Sequence, residues 1–318
     1  MPQRQSTPAG AEARTSDLLT DIATRFYLRG DTQIEIARDL GLDPSTVSRH
    51  LKRARREGIV HVEIRPRRRE DVDLGRELAA RHGLARVVVA TAGAEAEDGL
   101  SAVAAEFVEG LLRSGMCLGI SWGRTLAGVT RHLRHGSVAG LSVAQLAGGV
   151  DDPTPGIQGH ELVRRLAELY PDSRVHYLHA PAIVGSEATR LALLADRTVE
   201  TALQAARRSE LALVGIGQLS PDSTLFRGRH VGRDDWAALI EAGAVGNMNT
   251  RFFDAHGQPV GDLERRTIAI SWDELRAIPT VVAIAAGTDK VAAIEGALAT
   301  WCVESLVTDE ATARAMLR

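Results

Sequence analysis

Two glycine-flanked stretches carry residue types able to hold an anion. Gly119-Ile120-Ser121-Trp122-Gly123-Arg124-Thr125 follows an apolar run and opens a helical pattern. Its backbone N–H groups and hydroxyls are therefore expected where a helix N-terminus attracts negative charge. Gly119 and Gly123 allow close backbone approach, Ser121 and Thr125 offer hydrogen bonds, and Arg124 adds charge. Trp122 has two roles open to it, a cover for the apolar face of a ligand or a core side chain. Ala286-Gly287-Thr288-Asp289-Lys290 is a second loop of this kind. The chain has only two lysines, Lys52 and Lys290, with arginine used nearly everywhere else. A cation in the first turn of a helix is disfavoured by the macrodipole, so Lys290 wants a local reason. An anionic ligand supplies one, and a phosphate fits both loops.

Gly119 to Gly123 also fits the G-x-S-x-G elbow of serine hydrolases. That chemistry needs an acid and then a histidine later in the chain. The available order is Asp222 or Asp151 before His230 or His256, and no HGGG-type loop precedes Ser121. The anion-binding reading is therefore the stronger of the two.

A third set of residues is built for a much larger anion. Ile36 and Leu40 lie four apart and Ile34 and Ala37 three apart, giving a short helix an apolar face. Gly41 ends it, and Asp43-Pro44 starts another as N-cap and N1. In that second helix Val47, Leu51 and Ala54 form the inward stripe. Ser45, Thr46, Ser48, Arg49, Lys52, Arg53 and Arg56 stay outside, a face of hydroxyls and cations suited to the major groove of DNA. A charge run is more often a solvated surface, but here the turn chemistry and the basic face coincide.

Residues 45–69 hold nine Lys or Arg against two acids, whereas the whole chain is at −3, so the rest carries about −10. A basic reader on an acidic body is expected of a protein that grips DNA at one end. At 318 residues two domains are expected. No apolar run approaches the ~20 residues of a membrane helix, and the N-terminus lacks the apolar core of a signal peptide, so a cytoplasmic location with no membrane partner is expected. Cys117 and Cys302 are isolated, with no CxxC and no histidine cluster. Neither a disulfide framework nor a metal site is expected, and both read as core residues.

The elements that position these residues fall in order. Residues 1–14 read as a disordered tail. A helix with the stripe Leu18, Leu19, Ile22 and Phe26 precedes the two reader helices, and Ile59 to Ile64 alternates as a short wing strand. These make a domain over 15–64, followed by a basic linker over 65–70. From 71 to 318 helices alternate with short apolar strands at 87–89, 116–120, 141–146, 175–178, 211–216, 267–270, 281–285 and 305–307. That rhythm implies βαβ units and a doubly wound, mostly parallel α/β sandwich, whose ligands sit at the carboxyl ends of the strands. Gln145 with Gly148-Gly149, Gly215-Ile216-Gly217 and the segment Gly246 to Asp254 lie between the two anion loops. Asp254-Ala255-His256-Gly257 also reads as a type I turn that needs no ligand.

The segments QIEIARDLG and STVSRHLKRARREGIV resemble the N-terminal helix-turn-helix domain of the SorC family of bacterial transcription regulators. GISWGRTL, QLAGG, VGIG, NTRFFD and AAGTDK occur in the order of that family's effector domain, so the resemblance spans residues 15–318. His50 departs from it, standing where the family has an apolar residue. The family senses sugars or sugar phosphates and includes the deoxyribonucleoside and central glycolytic gene repressors. The resemblance implies a fold similar to the sugar-phosphate isomerases, and a homodimer or homotetramer on double-stranded operator DNA is expected because paired half-sites are how small readers gain affinity. The resemblance also implies a phosphorylated sugar effector held by Gly119, Ser121, Trp122, Gly123, Thr125, Gln145, Asp254, Gly287 and Lys290, with no cofactor and no catalysis. Some members hold an aldehyde effector as a lysine Schiff base. Lys290 is the one lysine of this domain, and a lysine facing phosphate should stay protonated. A residual isomerase activity is suggested only by fold analogy.

Overall fold

The computed structural model describes residues 17–60, 70–91, 96–136, 138–151, 156–221, 223–227 and 230–318. The chain divides into two units, Met1–Arg67 and Arg68–Arg318.

In the first unit α1 covers residues 17–24 and runs into a π-helical turn, Arg25–Arg29, closed by Gly30 at φ 80°. Helix α2 (Gln33–Leu40) starts on a capping box: Thr32 Oγ1 accepts the Glu35 N–H, and the Glu35 carboxylate accepts the Thr32 N–H at 2.8 Å. The Thr32 N–H and then the Thr32 hydroxyl, both donating to the Glu35 carboxylate, hold that carboxyl below its ordinary pKa. Gly41 closes α2 at φ 65°, and Asp43 caps α3 (Pro44–Arg56) by accepting the Ser45 N–H at 2.8 Å. Ile22, Ile36, Ala37, Val47 and Leu51 form one small core, and Leu19, Ala23 and Ala54 another. Ile34 is not in it. The expected pairing of Ile34 with Ala37 fails because the stripe centres on Ile36, Ala37 and Leu40, and at about 100° per residue Ile34 falls outside it; its side chain is 62% exposed. Ile59 and Val60 fold back on the Leu19, Ala23 and Ala54 cluster. The rest of the expected wing strand and most of the basic linker lie outside the described residues.

The second unit is built on a sheet in the order β1-β9-β8-β5-β2-β3-β4, with every pair along that path parallel. The strands are β1 (Arg86–Ala90), β2 (Cys117–Ile120), β3 (Ser142–Gln145), β4 (Arg174–His176), β5 (Leu211–Gln218), β8 (Thr280–Ile284) and β9 (Ser305–Asp309). Alternate residues serve opposite cores. Val87, Ala144, Ala212, Val214, Val281 and Leu306 face one, while Val88, Leu118, Val143, Leu213, Val282 and Val307 face the other. Burial on both faces is why these strands read as continuous apolar runs rather than as alternations. Helix α6 (Arg124–His132) packs into the second core through Leu126, Ala127 and Val129, and α13 (Val291–Ala299) into the first through Ala293, Ile294 and Ala297. The two helices thus leave opposite faces of the sheet from β2 and β8, the strands that flank β5. That is a topological switch point, where a crevice opens at the strands' carboxyl ends.

Four stretches differ from expectation. Residues 267–270 make no ladder; Thr267 and Ala269 form single bridges to Ile183 and Ala147. An antiparallel hairpin, β6 (Ala244–Met248) and β7 (Arg251–Asp254), pairs instead with the end of β5. Helices at Gly159–Leu169 and Arg233–Glu241 are present where no element was expected; both start without a side-chain oxygen accepting from the first turn. Cys302 is buried as expected, but Cys117 is only half-buried; burial pushes both thiols up.

Arg251 ties hairpin to sheet. Its guanidinium, 2% exposed, donates from Nε to the Ile270 carbonyl at 2.7 Å and from Nη2 to the Ala269 carbonyl at 2.9 Å, and it pairs with Glu264. Burial lowers its pKa from the ordinary value and Glu264 opposes that. Residues 267–270 thus have the apolar pattern of a strand without a ladder: the Ala269 and Ile270 carbonyls go to Arg251 and that of Thr267 to Arg190, which leaves the Ile268 carbonyl to a backbone N–H, that of Gly148. Arg251→Ala strands the buried Ala269 and Ile270 carbonyls, at about 1–3 kcal/mol for each unsatisfied acceptor, whereas Glu264, 39% exposed, is rehydrated. A fall in melting temperature of roughly 6 °C or more is expected by calorimetry; a change under about 2 °C would show that the hairpin holds without it.

Candidate functional site

The basic face of α3 is presented as its capping and stripe dictate. Ser45, Arg49, Lys52 and Arg53 are exposed, while Thr46 and Ser48 are half-buried beside Val47. The six are not equally free. Arg49 donates to the Thr46 hydroxyl at 3.0 Å one turn back, and Arg53 pairs with Glu57 at 2.6 Å. Arg55 is turned away to Tyr27, donating to its hydroxyl at 2.9 Å and lying 5.6 Å from its ring centre. His50 is half-buried.

The second candidate site is a cleft of about 160 Å³ that opens to solvent. Ser121, Trp122, Gly123, Arg124 and Thr125 form one wall, Gly215 to Gln218 at the end of β5 another, and Asn247, Asn249, Thr250 and Lys290 close it. Gly123 caps α6 at φ 127°, a conformation that leaves the first-turn N–H groups of α6 facing outward without a side-chain cap. The Gly123 N–H itself is spent on the Ile157 carbonyl at 3.1 Å. Across the cleft Gly287 takes φ 124°, and Lys290 sits at the N-cap of α13, again with no side-chain cap. An added Cβ at Gly287 would meet Asp289 Oδ1 at 2.6 Å. Two helix N-termini from opposite faces of the sheet therefore meet at one crevice, with Arg124 and Lys290 among its walls.

Of the side chains expected to hold an effector, Ser121, Trp122, Gly123, Thr125 and Lys290 come together here. Four others do not line the cleft. Gly119 is a packing glycine: a Cβ there would lie 2.4 Å from Leu146 Cδ2 and 2.6 Å from Ser209 Oγ. Gln145 is buried, accepting the Leu178 N–H at 2.9 Å and packed under Gly159. Asp254 caps its own turn, accepting the N–H groups of His256 and Gln258 at 2.8 and 2.9 Å. Gly287 shapes the backbone ahead of Lys290 and is held by the Thr312 hydroxyl at 2.7 Å. Sequence reasoning passed over Gln218, Asn247, Asn249 and Thr250, although both VGIG and the 246–254 segment stood out. The missing signal was the hairpin, which folds the second segment onto the end of the first. Gln218 donates to Asp289 at 3.0 Å, so the carboxylate next to Lys290 in its loop is already engaged. Among the described residues no group of histidine, cysteine and acids could hold a metal ion.

Comparison with known proteins follows the same two-part division. Residues 67–318 match the family described as "Putative sugar-binding domain", and residues 23–70 match a helix-turn-helix domain. The transcriptional regulator LsrR of Klebsiella pneumoniae subsp. pneumoniae is 32% identical over 317 residues, covering 97% of this chain and 95% of that one. The deoxyribonucleoside regulator of Bacillus subtilis is 29% identical, covering 96% and 98%. Among solved structures, the full-length sorbitol operon regulator SorC from Klebsiella pneumoniae superposes with a TM-score of 0.72 at 27% identity, covering 95% of this chain and 99% of that one. A helix-turn-helix unit joined to a sugar-binding unit over almost the whole length of such relatives means that the chain belongs to the SorC family of transcriptional regulators.

Proposed function

We propose that α3 reads a roughly palindromic operator as part of a dimer or tetramer, and that a phosphorylated sugar or polyol in the cleft controls how tightly it does so. The observation that carries the effector assignment is the composition of the cleft wall: among the described residues its ionisable side chains are Arg124 and Lys290, with neither carboxylate nor imidazole. Two cations and two uncapped helix N-termini suit a phosphate dianion. The same composition argues against turnover. Isomerisation of a sugar phosphate needs a base, and a Ser121 hydrolase needs a histidine, whereas the His230 ring is engaged with the Asp151 backbone N–H at 2.7 Å, outside the cleft. The names of relatives, a sorbitol operon regulator and a deoxyribonucleoside regulator, support a sugar-related effector. Oligomerisation follows from the economy of paired half-sites, and the family role fits a cytoplasmic protein.

Control of this kind is linkage: the effector shifts operator affinity only by the ratio of its affinities for the two DNA-binding arrangements. A thermal-shift screen against sugar phosphates tests the effector class, because a ligand of the native state raises the melting temperature. At least one sugar phosphate should raise it well beyond the matching free sugar; a panel without effect would remove the phosphate reading. Lys290→Ala should weaken that ligand roughly tenfold or more while leaving operator binding intact. Continued response of DNA binding to the same concentrations would contradict the assignment. Arg49→Ala should weaken specific operator binding by roughly tenfold in a gel-shift titration with an unchanged melting temperature, and unaltered affinity would take α3 out of the groove.

A further inference from the structure

The floor of the cleft carries strain and unpaired polarity together. The β6–β7 corner consists of Asn249 at φ 51° and Thr250 at φ 68°, two consecutive non-glycine residues in the left-handed region. For a β-branched residue such as Thr250 that conformation is a genuine outlier. Both side chains are at least nine-tenths buried, at 3% and 2% exposure, and both line the cleft. Asn249 Nδ2 donates to the Leu146 carbonyl at 3.3 Å, which fixes the amide and leaves Oδ1 as an acceptor. Asn249 Oδ1 and Thr250 Oγ1 are buried without a hydrogen-bond partner among the described residues. Such groups are rare because each forfeits its hydration with no return. Arg251, anchored on Ile270, Ala269 and Glu264, prevents the corner from relaxing. The pairing of Asn247 with Gly217 and Met248 with Ile216 sets its depth at the end of β5.

We propose that the Asn249–Thr250 corner reads hydroxyl groups of the effector's carbon chain and is the part of the cleft that separates a phosphorylated polyol from inorganic phosphate. This rests on the reading of the cleft as a phosphate site. The chemistry follows from what each atom lacks. Asn249 Oδ1 needs a donor, which a phosphate dianion, a carboxylate or a carbonyl does not supply. Thr250 Oγ1 donates or accepts. A hydroxyl satisfies both, and a site built to bond a hydroxyl discriminates strongly against the analogue lacking it. Strain held by the surrounding structure at a ligand-facing corner is the expected form of a pre-organised reader.

The test uses the full-length protein, inorganic phosphate, and a panel of aldose, ketose and alditol phosphates of three to six carbons, titrated by calorimetry. The variant is Thr250→Val, which keeps the branched shape and removes the oxygen. Removal of an unpaired buried hydroxyl should leave the unliganded melting temperature unchanged or higher. The tightest polyol phosphate should bind the variant roughly tenfold more weakly or worse, with inorganic phosphate unaffected. Thr250→Ser, which restores the oxygen, should recover the affinity and guards against a folding defect in the valine variant. Equal affinity of Thr250→Val and the parent for the polyol phosphate overturns the proposal while the Lys290 phosphate site stands. A parent that binds inorganic phosphate as tightly as every polyol phosphate overturns it also. If Lys290→Ala binds the polyol phosphate normally but Thr250→Val does not, the phosphate reading falls and the hydroxyl-reading corner survives.

Discussion

The arrangement depends on the direction of a parallel sheet. All seven strands of the main path run the same way, so the helices that follow β2 and β8 both begin at one edge. Each brings first-turn N–H groups that no helix can satisfy for itself. Several helices of this chain spend a Ser, Thr or Asp side chain on that task, as Ser186, Asp196 and Asp309 do; α6 and α13, like the helices at Gly159–Leu169 and Arg233–Glu241, do not, and α6 and α13 begin on glycine loops. The partial positive charge stays at the crevice, and Arg124 and Lys290 add to it. In the proposed function this is what makes the cleft a place for a small anion and fixes which end of the effector enters where.

The first unit answers a different polyanion with a different device. Here the caps are complete: Thr32 with Glu35 and Asp43 with Ser45 fix the crossing of two short helices, and a small core holds them. The helix surface is thereby left to cations and hydroxyls. Arg53 and Arg55 are partly committed to Glu57 and Tyr27, and Arg49 only to the neutral Thr46 hydroxyl, so Lys52 and then Arg49 have the clearest reach in the proposed operator contact.

Local chemistry was the legible part of the chain. The capping residues, Gly41, the inward stripe of α3 and the strands buried on both faces all follow from signals within a few residues of each other. Ile34 misled because two overlapping spacings fit an apolar face and only one can centre the stripe. Residues 267–270 misled because an apolar run of strand length can serve a buried arginine as well as a ladder. The cleft was half legible. Ser121 to Thr125 and Lys290 lie on loops whose glycines announce them, whereas Asn249 and Thr250 act through a hairpin that pairs with a strand thirty residues away, a contact no local pattern encodes. Gln145 and Asp254 had suitable side chains but spend them on neighbouring backbone.

The central claim is that the phosphate supplies most of the effector's hold on the cleft. A calorimetric comparison of one sugar phosphate with the same sugar lacking its phosphate tests this most directly. The account predicts a difference of roughly a hundredfold, as two charge-assisted contacts would give. Equal affinities for the two compounds would contradict it.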